Sequence, residues 1–76
     1  MREQMKERFP VNSSLIVAVT YAADAALDIE FTSGSKYRYF AVPQRVLRDF
    51  LAAASKGVFF NRHIKPRYPC TKLVGE

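Results

Sequence analysis

Leu27, Ile29 and Phe31 alternate with Asp28, Glu30 and Thr32, and this period of two constrains the fold more than any other feature of the chain. Successive side chains of a strand point to opposite faces. The stretch therefore fits a strand with one face on a core and the other toward water. Ala22-Ala23-Asp24 precedes it and Ser33-Gly34-Ser35 follows it, both short enough to reverse the chain into antiparallel neighbours. Upstream, Leu15 to Tyr21 reads LIVAVTY, β-branched and almost continuously apolar, which fits a buried strand. Downstream, KYRYFAV from Lys36 supplies a third strand. The sequence predicts a three-stranded antiparallel meander.

A change of period follows. Pro43 suits a first helical position, where its missing N–H costs nothing, and Val46, Leu47, Phe50, Leu51 and Ala54 then recur with helical spacing. Gly57 stands where a left-handed cap would end this helix. Phe60 and Ile64, four apart, predict one further short helix stopped before Pro66. The expected fold class is α+β, a three-stranded meander followed by one main helix and a short C-terminal helix. Residues 1–11 are expected to form a flexible arm, with at most a helical turn or two in Met1 to Glu7. Residues 12–73 are expected to form the single domain, with the tail KPRYPCTKLVGE irregular or extended.

A chain of 76 residues holds one core and has no room for a cofactor domain. Most of its apolar residues must serve that core, because a domain this small buries only about 60% of its unfolded surface. Cys70 is the sole cysteine, which excludes an internal disulfide, and it is expected to sit partly buried in the tail. The charged N-terminal MREQMKERFP lacks the apolar stretch of a signal peptide, and no apolar run approaches membrane-spanning length. A cytoplasmic protein without a membrane partner is the expectation.

The formal net charge of +5 is unevenly placed. Between Val11 and Ser35 the only charges are Asp24, Asp28 and Glu30, whereas from Lys36 onward nine Lys and Arg face only Asp49 and Glu76. Such asymmetry predicts a positive side able to attract nucleic acid, anionic lipid or an acidic protein.

Catalytic chemistry finds little purchase. Asp28 and Glu30 share one strand face about 7 Å apart, a spacing open in principle to paired-carboxylate work, but nothing in the sequence marks a cleft around them and a solvated strand face is the expectation. His63 and Cys70 are the only imidazole and thiol, and the acid-poor second half lacks the carboxylates that a four-ligand zinc site would add. A Cys/His nucleophile pair would have no evident orienting group or oxyanion hole. The expectation is a binding module with no enzymatic activity, metal or cofactor.

Tyr37-Arg38-Tyr39-Phe40 carries the functional weight, since interleaved rings and cations suit single-stranded nucleic acid, rings stacking bases and cations holding phosphates. Period two puts Tyr37 and Tyr39 on one face and Lys36, Arg38 and Phe40 on the other. A three-residue Ser33-Gly34-Ser35 loop pairs Phe31 with Tyr37 and Ile29 with Tyr39, turning the tyrosines to the core. A two-residue Ser33-Gly34 loop sets them opposite Glu30 and Asp28 instead. The first gives the more consistent core. On the main helix Arg45, Arg48 and Lys56 fall away from the apolar face, and Arg62, Lys65 and Arg67 could extend the same positive surface.

Taken in order, Ser14, Ile16, Tyr21, Leu27, Phe31, Gly34, Tyr37-Arg38-Tyr39, Val42-Pro43, Leu51, Ala54-Ser55-Lys56-Gly57, Phe60-Asn61, Ile64 and Tyr68 resemble the KTSC domain. That family is named for its occurrence at the C-terminus of some lysyl-tRNA synthetases and also occurs as small free-standing bacterial proteins. The resemblance spans about Asn12 to Leu73, with Ala22 and Leu47 departing from the family pattern. It implies a domain of unknown activity, for which the synthetase context points to RNA. It supplies no catalytic residues. Tyr37, Arg38, Tyr39, Asn61 and Arg62 are the positions it marks as candidates.

The expected function is RNA binding. Arg38, Arg45, Arg48, Lys56, Arg62, Lys65 and Arg67 would meet phosphates, and Tyr37 or Tyr39 would stack a base. The alternative is a protein-interaction domain whose basic surface or sheet edge meets an acidic partner or a second copy.

Overall fold

In the computed structural model, which describes residues 6–75, five strands form one antiparallel sheet in the order β1-β2-β3-β4-β5. These are β1 (Lys6–Pro10), β2 (Ile16–Ala22), β3 (Leu27–Phe31), β4 (Lys36–Tyr39) and β5 (Cys70–Val74). Between β4 and β5 lie α1 (Gln44–Ala52) and α2 (Lys56–Phe59), the latter running into a π-helical turn at Phe60–Ile64. The α+β class and the central meander agree with the sequence. The strand count does not, because the sheet gains a strand at each edge.

Both extra strands are held in ways that leave little trace in a hydrophobic pattern. Of the expected arm, residues 1–5 lie outside the described residues, while Lys6–Pro10 pairs along β2 with Phe9 opposite Val19. Phe9 is the one apolar anchor, and Arg8 fastens the other face by a two-pronged ion pair to Glu30 at 3.1 and 3.2 Å. Strand β5 pairs with β4 from Cys70 opposite Tyr39 to Val74 opposite Lys36, yet all five of its residues are exposed. Backbone pairing, not side-chain burial, makes this segment a strand, and Cys70 is accordingly exposed and not partly buried.

The two hairpins of the meander use the same device, a three-residue loop ending in a left-handed residue. In the first, Ala22 and Ala26 face each other across Ala23-Asp24-Ala25, with Ala25 at φ 69°. In the second, the Phe31 N–H donates to Ser35 O across Thr32-Ser33-Gly34, with Gly34 at φ 98°. That loop is the expected length but starts one residue early, so Tyr37 faces Ile29 and Tyr39 faces Leu27. A shift of two residues keeps side-chain parity, and both tyrosines turn to the helix side of the sheet.

The core lies between that side and the helices. Ile16, Val19, Leu27, Ile29 and Tyr39 from the sheet meet Val42, Leu47, Phe50, Phe60 and Ile64, and Phe50 is fully buried. The Tyr21 hydroxyl donates to Val42 O at 2.6 Å, tying β2 to the entry of α1. Pro43 stands as N-cap, one residue before the helix proper. The end of α1 departs from expectation: the helix stops at Ala52, Ala54 is exposed, and Gly57 lies inside α2, not in a left-handed cap. Ser55 explains this, because its hydroxyl accepts from Val58 N–H at 3.3 Å and starts a new helix before Gly57 is reached. A Cβ on Gly57 would lie 3.5 Å from Leu15 Cδ2, so this position sits against the loop before β2.

Candidate ligand groove

Period two sends the side chains of β4 to opposite sides, and the two sides have different fates. On the face away from the helices, Arg38 lies directly opposite Asp28 and grips its carboxylate at 2.8 and 3.0 Å. Asp28 is buried, so the expected solvated carboxylate face is instead closed by two ion pairs, Asp28 with Arg38 and Glu30 with Arg8. Each arginine holds its guanidinium further toward the charged form, chiefly through its hydrogen bonds to the carboxylate. Hydrogen bonding from Arg8 likewise lowers the Glu30 carboxyl below its ordinary range. Arg38 is thus occupied, on the wrong side of the sheet to act with the tyrosines.

On the helix side, Phe60 of the π turn packs on Phe31 of β3 and Tyr39 of β4, while Tyr37 is only partly covered and all of β5 stays exposed. A groove of about 460 Å³ results, lined by Leu15, Phe31, Tyr37, Tyr39, Phe60, Asn61, Lys65 and Cys70. Its floor is aromatic: Phe60 meets Phe31 and Tyr39 edge-on at 5.3 and 5.5 Å between centroids, and Phe31 meets Tyr37 at 6.0 Å. Edge-to-face contacts lock these rings against one another. Tyr39 is buried beneath, and burial, together with the neighbouring Cys70 thiol, pushes its phenol well above the usual range. Tyr37 is only partly buried, with the Lys72 ammonium 5.9 Å from its ring centroid. That is a cation–π distance.

The π turn sets the polar rim. Its wide first hydrogen bond, Lys65 N–H to Phe60 O at 2.9 Å, buries Phe60 and Ile64 while Asn61 and Lys65, four apart, stay exposed along the groove. Among the described residues no carboxylate lines the groove, and Lys65 and Lys72 stand at its margin.

The candidates singled out from sequence therefore separate. Tyr37, Tyr39, Asn61 and Lys65 come together, with Tyr39 serving the floor. Arg45 and Arg48 are exposed on the outer side of α1, Arg62 and Arg67 are exposed beyond the groove lining, and Lys56 is partly buried with its ammonium donating to Ala53 O at 2.6 Å. Phe31, Phe60, Leu15, Cys70 and Lys72 belong to the site without having been singled out. Phe60 was legible beside Asn61 in the family motif, but Lys72 had no signal, since its place depends on β5 being a strand. Among the described residues, no helix is long and apolar enough to cross a membrane, and no group of three or more His, Cys, Asp or Glu could hold a metal ion.

Known proteins share both the sequence and this architecture. A crystal structure of a KTSC domain protein from Yersinia pestis superposes with a TM-score of 0.86 at 37% identity, covering 92% of this chain and all of that one. A protein of Tsukamurella paurometabola is 45% identical over 65 residues, 84% of this chain and 97% of its own length. A lysine–tRNA ligase of Nostoc punctiforme is 49% identical over 47 residues, 62% of this chain but only 8% of the ligase. The sequence model of the KTSC domain matches residues 12–68, three-quarters of the chain, and the chain belongs to the KTSC domain family.

Proposed function

We propose that the protein is a non-enzymatic module that binds single-stranded RNA in the groove over β4 and β5. The observation that carries this reading is the pairing of a partly exposed aromatic floor with a rim that holds lysines and, among the described residues, no carboxylate. A base has a π face for Tyr37 or Phe31 to stack on, and a phosphate has charge for Lys65 and Lys72, so one nucleotide satisfies both halves of the site. The exposed Asn61 amide offers a donor and an acceptor to a base edge. The likeness to a segment of a lysine–tRNA ligase supports RNA over DNA as the first ligand to try.

The test is anisotropy titration of a short labelled single-stranded RNA over a range of salt. Affinity should fall linearly on a log–log plot, and replacing Lys65 and Lys72 together by Ala should flatten the slope by about 1.4, at about 0.7 per phosphate contact. Tyr37→Ala should weaken binding by about 1–3 kcal/mol and leave the slope alone, as expected for a lost stacking contact. Absence of binding at low salt, or a slope indifferent to both lysines, would sink the reading.

A further inference from the structure

The five strands leave two sheet edges, and they are not alike. At β1 the edge carries Lys6, Glu7, Arg8 and Pro10, charges and a residue without an N–H, the usual means of blunting an edge. At β5 no strand lies along the outer backbone among the described residues. Phe40 N–H donates to Pro69 O at 2.9 Å, and antiparallel pairs alternate, so Arg38 and Thr71 exchange hydrogen bonds while Cys70 and Lys72 turn their N–H and C=O groups outward. All of β5 is exposed, including Leu73 and Val74. The one charge on this stretch does not guard it, because the Lys72 ammonium is drawn back over the Tyr37 ring of its own sheet.

We infer that β5 pairs antiparallel with β5 of a second copy of this chain, Thr71 facing Thr71 of the partner and Cys70 facing the partner's Lys72. This register is the self-complementary one. The outward groups of Cys70 and Lys72 form four hydrogen bonds, no like charges stand directly opposite, and the β-branched threonines pair across the axis. The shift of register between Lys36 and Tyr37 at the far end of β5 confines regular pairing to this short stretch, so the dimer is a weak one.

Antiparallel pairing within one sheet requires a two-fold axis perpendicular to it, which brings both helix layers, and hence both grooves, to the same side. Cys70 lines the groove, so the partner's Lys72, opposite it and on the same face, adds a cation to that rim. Two grooves thereby join into one trough long enough for successive nucleotides. This consequence rests on the RNA reading, whereas the pairing rests on the edge alone.

Sedimentation across micromolar to millimolar protein tests it. Both copies carry a net charge of +5, so dimerisation should strengthen with salt, the reverse of RNA binding, and the two readings can fail separately. Lys72→Ala keeps the outward N–H and should dimerise at least as well as wild type. Lys72→Pro removes that N–H, with no hydrogen bond to β4 at stake, and should weaken the dimer about tenfold or more as two of the four bonds vanish. In a Cys70→Ser background, Thr71→Cys should give a disulfide-linked dimer under mild oxidation, because facing residues at a non-hydrogen-bonded pair lie about 4.5 Å apart at Cα. A wild type that stays monomeric throughout, a Lys72→Pro variant that dimerises like wild type, or failure of the Thr71→Cys cross-link would each overturn the proposed pairing.

Discussion

Arg38 stands directly across the β3–β4 ladder from Asp28 and closes both oxygens of its carboxylate at 2.8 and 3.0 Å. The side chain that interrupts the Tyr37-Arg38-Tyr39 motif thus works on the opposite face of the sheet from the rings beside it. Its partner has a side chain only 10% exposed, which makes Arg38 a neutralising residue for a near-buried charge.

Replacing Arg38 by Ala should therefore act on stability and not on ligand binding. Leaving Asp28 unpaired should cost about 1–3 kcal/mol in denaturant unfolding. RNA titrations of the folded variant should match wild type in both affinity and salt slope. A flattened slope would instead make Arg38 a phosphate contact.

Phe50 is fully buried at the centre of the α1 face, and Phe59 meets it edge-on at 6.0 Å between centroids. Phe50→Ala should destabilise by about 3–5 kcal/mol, most of the stability of a domain this small. Val46→Ala, at a partly buried position on the same helix, should cost clearly less. Chemical denaturation of the two variants checks the order, and a Phe50 effect below about 1 kcal/mol would contradict the packing.

Ala25 holds φ 69° at the end of the first hairpin loop, where Gly34 holds φ 98° in the second. A left-handed alanine carries strain of about 1–2 kcal/mol that glycine escapes, less the entropy that glycine adds to the unfolded chain. Ala25→Gly should raise stability by about 0.5–1 kcal/mol. Ala23→Gly, in the same loop without positive φ, should lower it, and thermal unfolding of the pair distinguishes the two.

Tyr39 gives the protein an alkaline limit. Burial, with Cys70 beside it, raises the phenol pKa in the folded state, so its contribution to stability is complete below the unfolded-state value of about 10 and is lost as pH rises through the folded-state titration. Of the four tyrosines, Tyr39 should ionise only together with unfolding when phenolate absorbance and circular dichroism are followed side by side. Tyr39→Phe should remove that coupling and move the alkaline unfolding midpoint upward.

Alternation in Leu27–Phe31, turn residues at both its ends and helical spacing after Pro43 are local, and they determined the central meander and the start of the main helix. Of the two loop lengths open for the second hairpin, the odd one, favoured for its more consistent core, puts the tyrosines on the helix side. Odd loop length preserved that side even though the loop began one residue early. Sequence also singled out Tyr37, Tyr39, Asn61 and Lys65, four residues of the groove. Tertiary structure decided the rest, because it depends on pairing between segments far apart in the chain. Strand β1 is held by Phe9 and by an Arg8–Glu30 contact spanning 22 residues, and β5 by a ladder whose side chains remain in water. Neither leaves a periodic apolar signal. For the same reason the basic residues, alike in sequence, acquire different fates only in the fold: Arg38 bound to Asp28, Lys56 to a helix end, and Lys72 drawn over the ring that borders the groove.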